Sequence, residues 1–151
     1  ALKTLRAGIS GKTIIWCRFN RDVEIVKKAY GDSAVTIYGK DGDKARDEAK
    51  QRFIGDPTVT ELIASPAAAG KGVDGLQHVC SDAIYYSNSF NAIDRWQSED
   101  RTHRIGQSNT ASYFDLVARG SIDRSILSNL RQKKGLSNLV LDDIKKLIQE
   151  L

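Results

Sequence analysis

The stretch TIIWCRFNRDVEIVKKAY (Thr13–Tyr30) joins an apolar run directly to an amphipathic one. Its first seven residues, Thr13–Phe19, are largely β-branched or aromatic, which predicts a buried strand. We expect Asn20 to cap a helix over Arg21–Tyr30, whose apolar residues recur on one face. A buried strand followed at once by a helix is typical of an α/β fold.

The same alternation continues along the chain. Further strands are predicted at Ala34–Gly39, Thr60–Ser65, Ala83–Ser87 and Ala111–Ala118. Further helices are predicted over Asp43–Phe53, from about Asn91 to His103, from a cap at Ser121 to a stop at Gly135, and from Asp142 onward. Strands separated by helices with short connections predict a mostly parallel sheet covered on both faces. Ligands in such folds gather at the carboxyl ends of the strands, and we expect the functional site there.

Length and composition allow one domain and restrict its class. The chain has 151 residues, enough to bury a real core. Its net charge of +4 permits contact with a polyanion without requiring it. No apolar run approaches the roughly 20 residues that span a bilayer, so no membrane partner is expected. The chain begins at Ala1 and contains no methionine, which suggests a piece of a longer protein.

Cysteine and histidine usage argues against a metal centre. Cys17 and Cys80 lie in apolar stretches, the chain has only two histidines, and it has no CxxC pair. This pattern predicts two buried, reduced thiols in an intracellular protein and no metal site.

The segment GISGKT (Gly8–Thr13) ends like a phosphate-binding loop. The full pattern GxxxxGK[ST] needs a glycine where this chain has Arg6, a strand before the loop and a helix after it. Here no strand pattern precedes the segment and a strand follows it. We therefore predict a flexible lead-in in which Lys12 starts a strand, and a chain that does not hydrolyse ATP by itself.

The passage FNAIDRWQSEDRTHRIGQ (Phe90–Gln107) carries the chemistry. On a helix, Gln97, Arg101 and Arg104 form one stripe at i, i+4 and i+7. Two arginines on a rigid element can stabilise the charge that grows on a transferring γ-phosphoryl group, as arginine fingers do. The alternative is a solvated face on which these arginines pair with nearby acids, and spacing alone leaves both interpretations open.

Within that passage, QSEDRTHRIGQ resembles motif VI of the Swi/Snf family of DNA-dependent ATPases in helicase superfamily two. Three earlier stretches resemble other segments of that family: motif IV at Lys12–Tyr30, a recurring glycine–arginine–phenylalanine segment at Tyr38–Phe53, and motif V with the following strand at Ser65–Asn91. Together they follow the family order over about residues 12–130. Two departures are Phe90-Asn91-Ala92 in place of Trp-Asn-Pro and Asp74 in place of a common asparagine.

The resemblance implies a three-layer RecA-like domain, with a mostly parallel central sheet flanked by helices but without its own P-loop. The whole chain, residues 1–151, would be the second motor lobe, with a core of about 12–135 and a helical extension over 136–151. ATP and Mg²⁺ would be held mainly by the N-terminal RecA-like lobe of the same protein, which would supply the P-loop.

The resemblance also implies roles for individual residues. Arg101 and Arg104 would be the catalytic fingers. Contacts to the nucleotide would come from Gln97, Gly72 and Asp74, the last through the ribose. Contacts to the DNA backbone would come from the opposite rim, through Ser65, Lys71, Gly39, Lys40 and Arg46.

Three functions are compatible with these patterns. The leading one is the second lobe of an intracellular, ATP-dependent DNA helicase or translocase. The alternative is a non-catalytic nucleic-acid-binding or protein-interaction domain that kept the RecA-like fold. A self-contained P-loop kinase or GTPase is the third, weakened by the failed spacing of GISGKT.

Overall fold

The computed structural model describes residues 1–69 and 74–135. Its elements, in chain order, are α1 (Leu2–Ala7), β1 (Thr13–Trp16), α2 (Asn20–Tyr30), β2 (Ala34–Ile37), α3 (Asp43–Gly55), β3 (Glu61–Ala64), α4 (Pro66–Ala69), β4 (Asp82–Tyr85), α5 (Ala92–Glu99) and β5 (Ser112–Asp115). Short 3-10 helices lie at Gly31–Ser33 and Leu76–His78, and residues 123–135 are helical. The helix predicted from Asp142 and the predicted extension 136–151 lie outside the described residues.

The five strands form one sheet in the order β2-β3-β1-β4-β5, with every neighbouring pair parallel. β1 is central, and its first residue, Thr13, is in register with Glu61 of β3 and Asp82 of β4. Because all first residues share one edge of the sheet, the carboxyl ends of the strands share the opposite edge. The predicted parallel α/β sheet is confirmed.

Both faces of the sheet are buried under helices. Ile14 and Trp16 belong to one core cluster, and Ile15 belongs to a second, as the two-residue period of a strand requires. Val23 of α2 packs in the second cluster, whereas Phe53 of α3 packs in the first. The three-layer arrangement follows from this division, and it explains why β1 reads as a continuous apolar run.

Helix α5 is fixed to the sheet by a mostly buried arginine. The guanidinium of Arg95 lies 3.4 Å from the ring centroid of Tyr85 and its side chain is only 11% exposed. Its Nη1 lies 2.5 Å from Asp115 Oδ1, and its Nε lies 2.7 Å from Glu99 Oε1. Burial alone lowers the pKa of Arg95, but the hydrogen bond to Asp115 and the neighbouring negative charges outweigh it and raise the pKa. The cation therefore stays charged and links α5 to β4 and β5.

The start of the chain is ordered, so the predicted flexible lead-in is wrong. Residues Leu2–Ala7 form α1, and Arg6 Nε lies 3.0 Å from the buried Glu61 Oε1. Lys12 Nζ donates to the carbonyl oxygens of Phe53 and Asp56, and burial lowers its pKa. Lys12 thus caps the carboxyl end of α3. A helix before GISGKT and a strand after it are the reverse of phosphate-loop surroundings.

We predict that Asp115→Asn destabilises the chain by about 3 kcal/mol, because it leaves the Arg95 cation buried without its principal counterion. Urea unfolding followed by circular dichroism measures the change. Asp32→Asn is the matched control, since Asp32 is exposed and loses the same charge. Equal unfolding midpoints for Asp115→Asn and Asp32→Asn would contradict the assigned role of this ion pair.

Candidate functional site

Helix α5 carries the chain from the carboxyl edge of the sheet back to the amino edge. It begins after the end of β4, where the Asn91 side chain accepts a hydrogen bond from the Ile93 backbone N–H (3.0 Å). The turn after α5 then leads into β5, whose first residue, Ser112, is in register with Asp82, the first residue of β4. Residues 100–107 therefore lie at the amino edge.

This placement corrects the expectation that the arginines face the crevice at the carboxyl ends of the strands. A helix that connects two parallel strands must run antiparallel to them. The end of such a helix, and whatever follows it, therefore lies at the amino edge. Arg101 and Arg104 follow the end of α5 and are found there.

The predicted helix to His103 is also too long, because α5 ends at Glu99. The Glu99 carbonyl accepts hydrogen bonds from the hydroxyls of Thr102 (3.1 Å) and Tyr113 (3.0 Å). Gln107 Nε2 donates to the Cys80 carbonyl at 3.0 Å and so ties the far end of the turn to the residues before β4. Arg101 and Arg104 consequently project from an anchored turn rather than from a helical stripe.

Gly106 is required within this turn. Its φ of +98° is one that side chains with a Cβ rarely adopt, and a Cβ placed there would lie 2.8 Å from Cε1 of His78. The glycine therefore permits both the left-handed backbone and the close approach of His78. The roles of Gly106 and Gln107 were not predicted, although both stand in the motif VI-like stretch.

The two arginines converge on one carboxylate oxygen. Arg101 Nη1 lies 2.9 Å and Arg104 Nη1 lies 2.5 Å from Oδ1 of Asp74. The hydrogen bond from Arg104, the charge of Arg104 and, to a smaller extent, the charge of Arg101 lower the pKa of Asp74. Spacing had left open whether the arginines pair with nearby acids, and in this structure they pair with Asp74.

This cluster lines an open groove of about 1180 Å³. Gln97 lines the same groove, so the structure brings together four predicted site residues: Gln97, Arg101, Arg104 and Asp74. The side chain of Arg101 is 17% exposed, whereas those of Arg104 and Asp74 are 51% and 62% exposed. Guanidiniums that reach solvent in a groove are suited to binding an anion. Gly72 lies outside the described residues.

A separate cavity of about 290 Å³ lies at the carboxyl edge. Ser65, which directly follows β3, lines it and is 8% exposed. Arg18 and Asn88, which follow β1 and β4, line it too and were not predicted. Their position after neighbouring parallel strands is a signal that could have identified them. The cavity presents polar and cationic side chains at the edge opposite the arginine groove.

The remaining predicted DNA contacts are more dispersed. Gly39 and Lys40 follow β2 at the carboxyl edge, and Lys40 Nζ lies 2.6 Å from Glu24 Oε1. The hydrogen bond to Glu24 raises the pKa of Lys40. Arg46 lies on α3, where its Nη1 is 3.7 Å from Asp43 Oδ1. Lys71 lies outside the described residues.

Neither a metal-ligating cluster nor a membrane-spanning helix is present among the described residues. Across residues 1–69 and 74–135, no three His, Cys, Asp or Glu side chains come together in a way that suits a metal ion. No helix formed by these residues combines the length and apolar composition needed to cross a bilayer.

The chain resembles proteins of known family. Helicase ssl-1 of Caenorhabditis elegans is 34% identical over 116 residues, which cover 76% of this chain and 5% of that protein. Helicase SWR1 of Eremothecium gossypii is 33% identical over 93 residues, which cover 60% of this chain and 6% of that protein. The chain thus spans only a small part of the curated relatives that it matches.

A solved structure and a sequence family agree with these relatives. The crystal structure of the C-terminal part of the Fun30 ATPase domain superposes with a TM-score of 0.75 at 26% identity, covering 85% of this chain and 43% of that one. Residues 1–106 match the family described as the helicase conserved C-terminal domain. The chain therefore belongs to the helicase C-terminal domain family, and its resemblance to the second RecA-like lobe of Swi/Snf-type superfamily two helicases is confirmed.

Proposed function

We propose that this chain is the second motor lobe of an ATP-dependent DNA helicase or translocase of Swi/Snf type. ATP binds at its interface with an N-terminal RecA-like lobe of the same protein, and Arg101 and Arg104 act there as arginine fingers. The chain alone is inactive, because it does not supply the phosphate-binding loop. As part of a DNA motor, it works inside the cell.

The convergence of two guanidiniums on a single oxygen in an open groove carries this proposal. A transferring γ-phosphoryl group spreads negative charge over its peripheral oxygens, and cationic donors that are already in position stabilise it. The turn that bears Arg101 and Arg104 is anchored at Glu99 and Gln107, so both cations are presented without further folding.

The surroundings of the groove support an interface with another lobe. Ile105, between Arg104 and Gly106, is 97% exposed and lines the groove. A fully exposed aliphatic side chain beside cationic groups suits the mixed apolar and polar character of a protein interface. The first lobe would cover Ile105 as it brings the triphosphate to the arginines.

The described residues fit a nucleotide better than a metal ion. Gln97 and the two arginines offer donors to phosphate oxygens, and Asp74, the predicted ribose contact, is the carboxylate that pairs with those arginines here. Mg²⁺ prefers oxygen ligands and usually keeps several waters beside one or two carboxylates and the substrate phosphates. We assign those carboxylates to the first lobe. When bound, Mg²⁺ would neutralise phosphate charge, and Arg101 and Arg104 would add the cations of this chain.

DNA would be held at the carboxyl edge, away from the nucleotide. Ser65, Gly39 and Lys40 lie at that edge, and contacts through short polar groups and backbone amides hold phosphates without reading sequence. Arg18 extends the set with a cation. Lys71, which follows α4 in the sequence, and Arg46 on α3 complete the proposed DNA contacts, whereas Gly72 remains a proposed nucleotide contact. Hydrolysis at one edge would then change lobe closure and move DNA at the other.

The second candidate, a non-catalytic binding domain that kept the fold, is favoured by one observation. Arg101 and Arg104 already pair with Asp74, as in a static ion-pair cluster. The exposure of Arg104 and Asp74 argues against this candidate, because a structural ion pair gains little stability at an exposed position.

We predict that Arg104→Ala in the full-length protein lowers DNA-stimulated ATP turnover by about 10³-fold, because it removes charge stabilisation that is made in the transition state. ATP binding should change little. Steady-state phosphate release and nucleotide titration measure the two effects. Arg119→Ala, at an exposed turn, is the control. Near-normal turnover of Arg104→Ala would remove the finger assignment and favour the non-catalytic candidate.

DNA binding by this chain should be weak and steeply salt-dependent, because phosphate contacts release counterions. We predict that Arg18→Ala reduces the slope of log K against log salt by about 0.9, the value for one phosphate contact. Fluorescence anisotropy with duplex DNA measures the slope, with Arg119→Ala as the control. Tight, sequence-specific binding at physiological salt, or an unchanged slope for Arg18→Ala, would contradict this DNA-binding edge.

A further inference from the structure

Asp74 occupies the point at which Arg101 and Arg104 converge. Both contacts use the same carboxylate oxygen, Oδ1, and each comes from the Nη1 of its arginine. This oxygen therefore takes the place that an oxyanion would take between the two guanidiniums. The site is already occupied by an anionic oxygen from within the lobe.

The geometry makes this carboxylate and a phosphate oxygen mutually exclusive. Contacts of Thr102 and Gln107 hold the backbone of the turn, so both arginine side chains start from anchored positions. An incoming γ-phosphate oxygen at the convergence point would lie against Asp74 Oδ1, where two negative charges repel. The phosphate must displace the carboxylate before it can engage both arginines.

Displacement is feasible because Asp74 is accessible. Its side chain is 62% exposed and can exchange the arginines for water. Arg104 is 51% exposed, whereas Arg101 is 17% exposed, so Arg104 is the more mobile of the two partners. An exposed ion pair contributes little free energy, so breaking the contacts with Asp74 costs little. A phosphate carries more charge and more acceptor oxygens than a carboxylate, so it binds the arginines more strongly.

We propose that Asp74 is the resting-state counterion of the two arginines, that the γ-phosphate of a bound nucleoside triphosphate displaces it, and that it returns when the γ-phosphate leaves. This inference rests on the proposed function. The displacement distinguishes triphosphate from diphosphate, because only the triphosphate has a group that reaches the convergence point. In the diphosphate state the arginines return to Asp74.

A contact between Asp74 and the ribose predicts the opposite behaviour. Loss of a ribose contact weakens triphosphate and diphosphate alike, since both carry the same sugar. Loss of a competing counterion strengthens the triphosphate alone. The sign of the change and its dependence on the γ-phosphate therefore separate the two roles.

The test is nucleotide affinity in the full-length protein with Mg²⁺. For Asp74→Asn, which keeps the shape of the side chain and removes its charge, we expect β,γ-imido-ATP to bind about three- to fivefold more tightly, the upper part of the range for an exposed ion pair. ADP should bind within about twofold of the unmodified protein. Isothermal titration calorimetry measures both affinities, and Asp32→Asn is the matched control for the lost charge.

Two results would overturn the inference: equal weakening of both nucleotides, or no change in either. The effect must also depend on Arg104, so Asp74→Asn should alter triphosphate affinity much less when Arg104→Ala is already present. If Arg104→Ala loses turnover but Asp74→Asn has no triphosphate-selective effect, only the counterion role of Asp74 is refuted. Normal turnover in Arg104→Ala would instead refute the proposed function.

Discussion

All five strands of the sheet run parallel, and this pairing determines where every connection begins and ends. Each strand points the same way, so every connection must carry the chain back from the carboxyl edge to the amino edge. Helix α5 makes one such return, and the arginine-bearing turn follows at its end. The cavity beside Ser65 stays at the other edge. Four-residue strands separate the two edges by about 13 Å, so a nucleotide and a DNA backbone could contact the lobe at once.

Arg95 and Arg104 lie on either side of the end of α5, and they differ in burial and in their partners. Arg95 is enclosed by Tyr85, Asp115 and Glu99, and it fixes the helix to the strands. Arg104, beyond the end of the helix, reaches an open groove with one exposed carboxylate as its partner in the described structure. A largely buried guanidinium with several partners cannot exchange them readily, whereas a half-exposed one can. The largely buried Arg95 thus anchors the helix that precedes the exposed Arg104.

Much of this architecture follows from local sequence patterns. The five strands and their parallel arrangement were predicted from apolar runs and helix signals, and they are confirmed because burial and periodicity act over a few residues. One motif-like stretch indicated Gln97, Arg101 and Arg104, which line one groove in the structure and whose roles stay predictions. The ordering of α1 was missed, because it depends on Arg6 reaching Glu61 across the fold.

The errors at the site have the same origin. The end of α5 depends on the Tyr113 hydroxyl, which belongs to the next strand. The pairing of both arginines depends on Asp74, which precedes Arg101 by 27 residues and Arg104 by 30 residues. The edge of the sheet was assigned from where ligands usually lie, without following the direction of the connecting helix. The parallel pairing of β4 and β5, rather than the composition of the turn, shows that the arginines lie at the amino edge.

The most direct test of the central claim is a structure of the full-length protein with Mg²⁺ and a non-hydrolysable ATP analogue. We predict that a guanidinium nitrogen of Arg104 lies about 2.7–2.9 Å from an oxygen of the γ-phosphate, at the amino edge of this lobe. A nucleotide seated instead in the carboxyl-edge cavity beside Ser65 and Arg18, with Arg104 remote from its phosphates, would contradict the account.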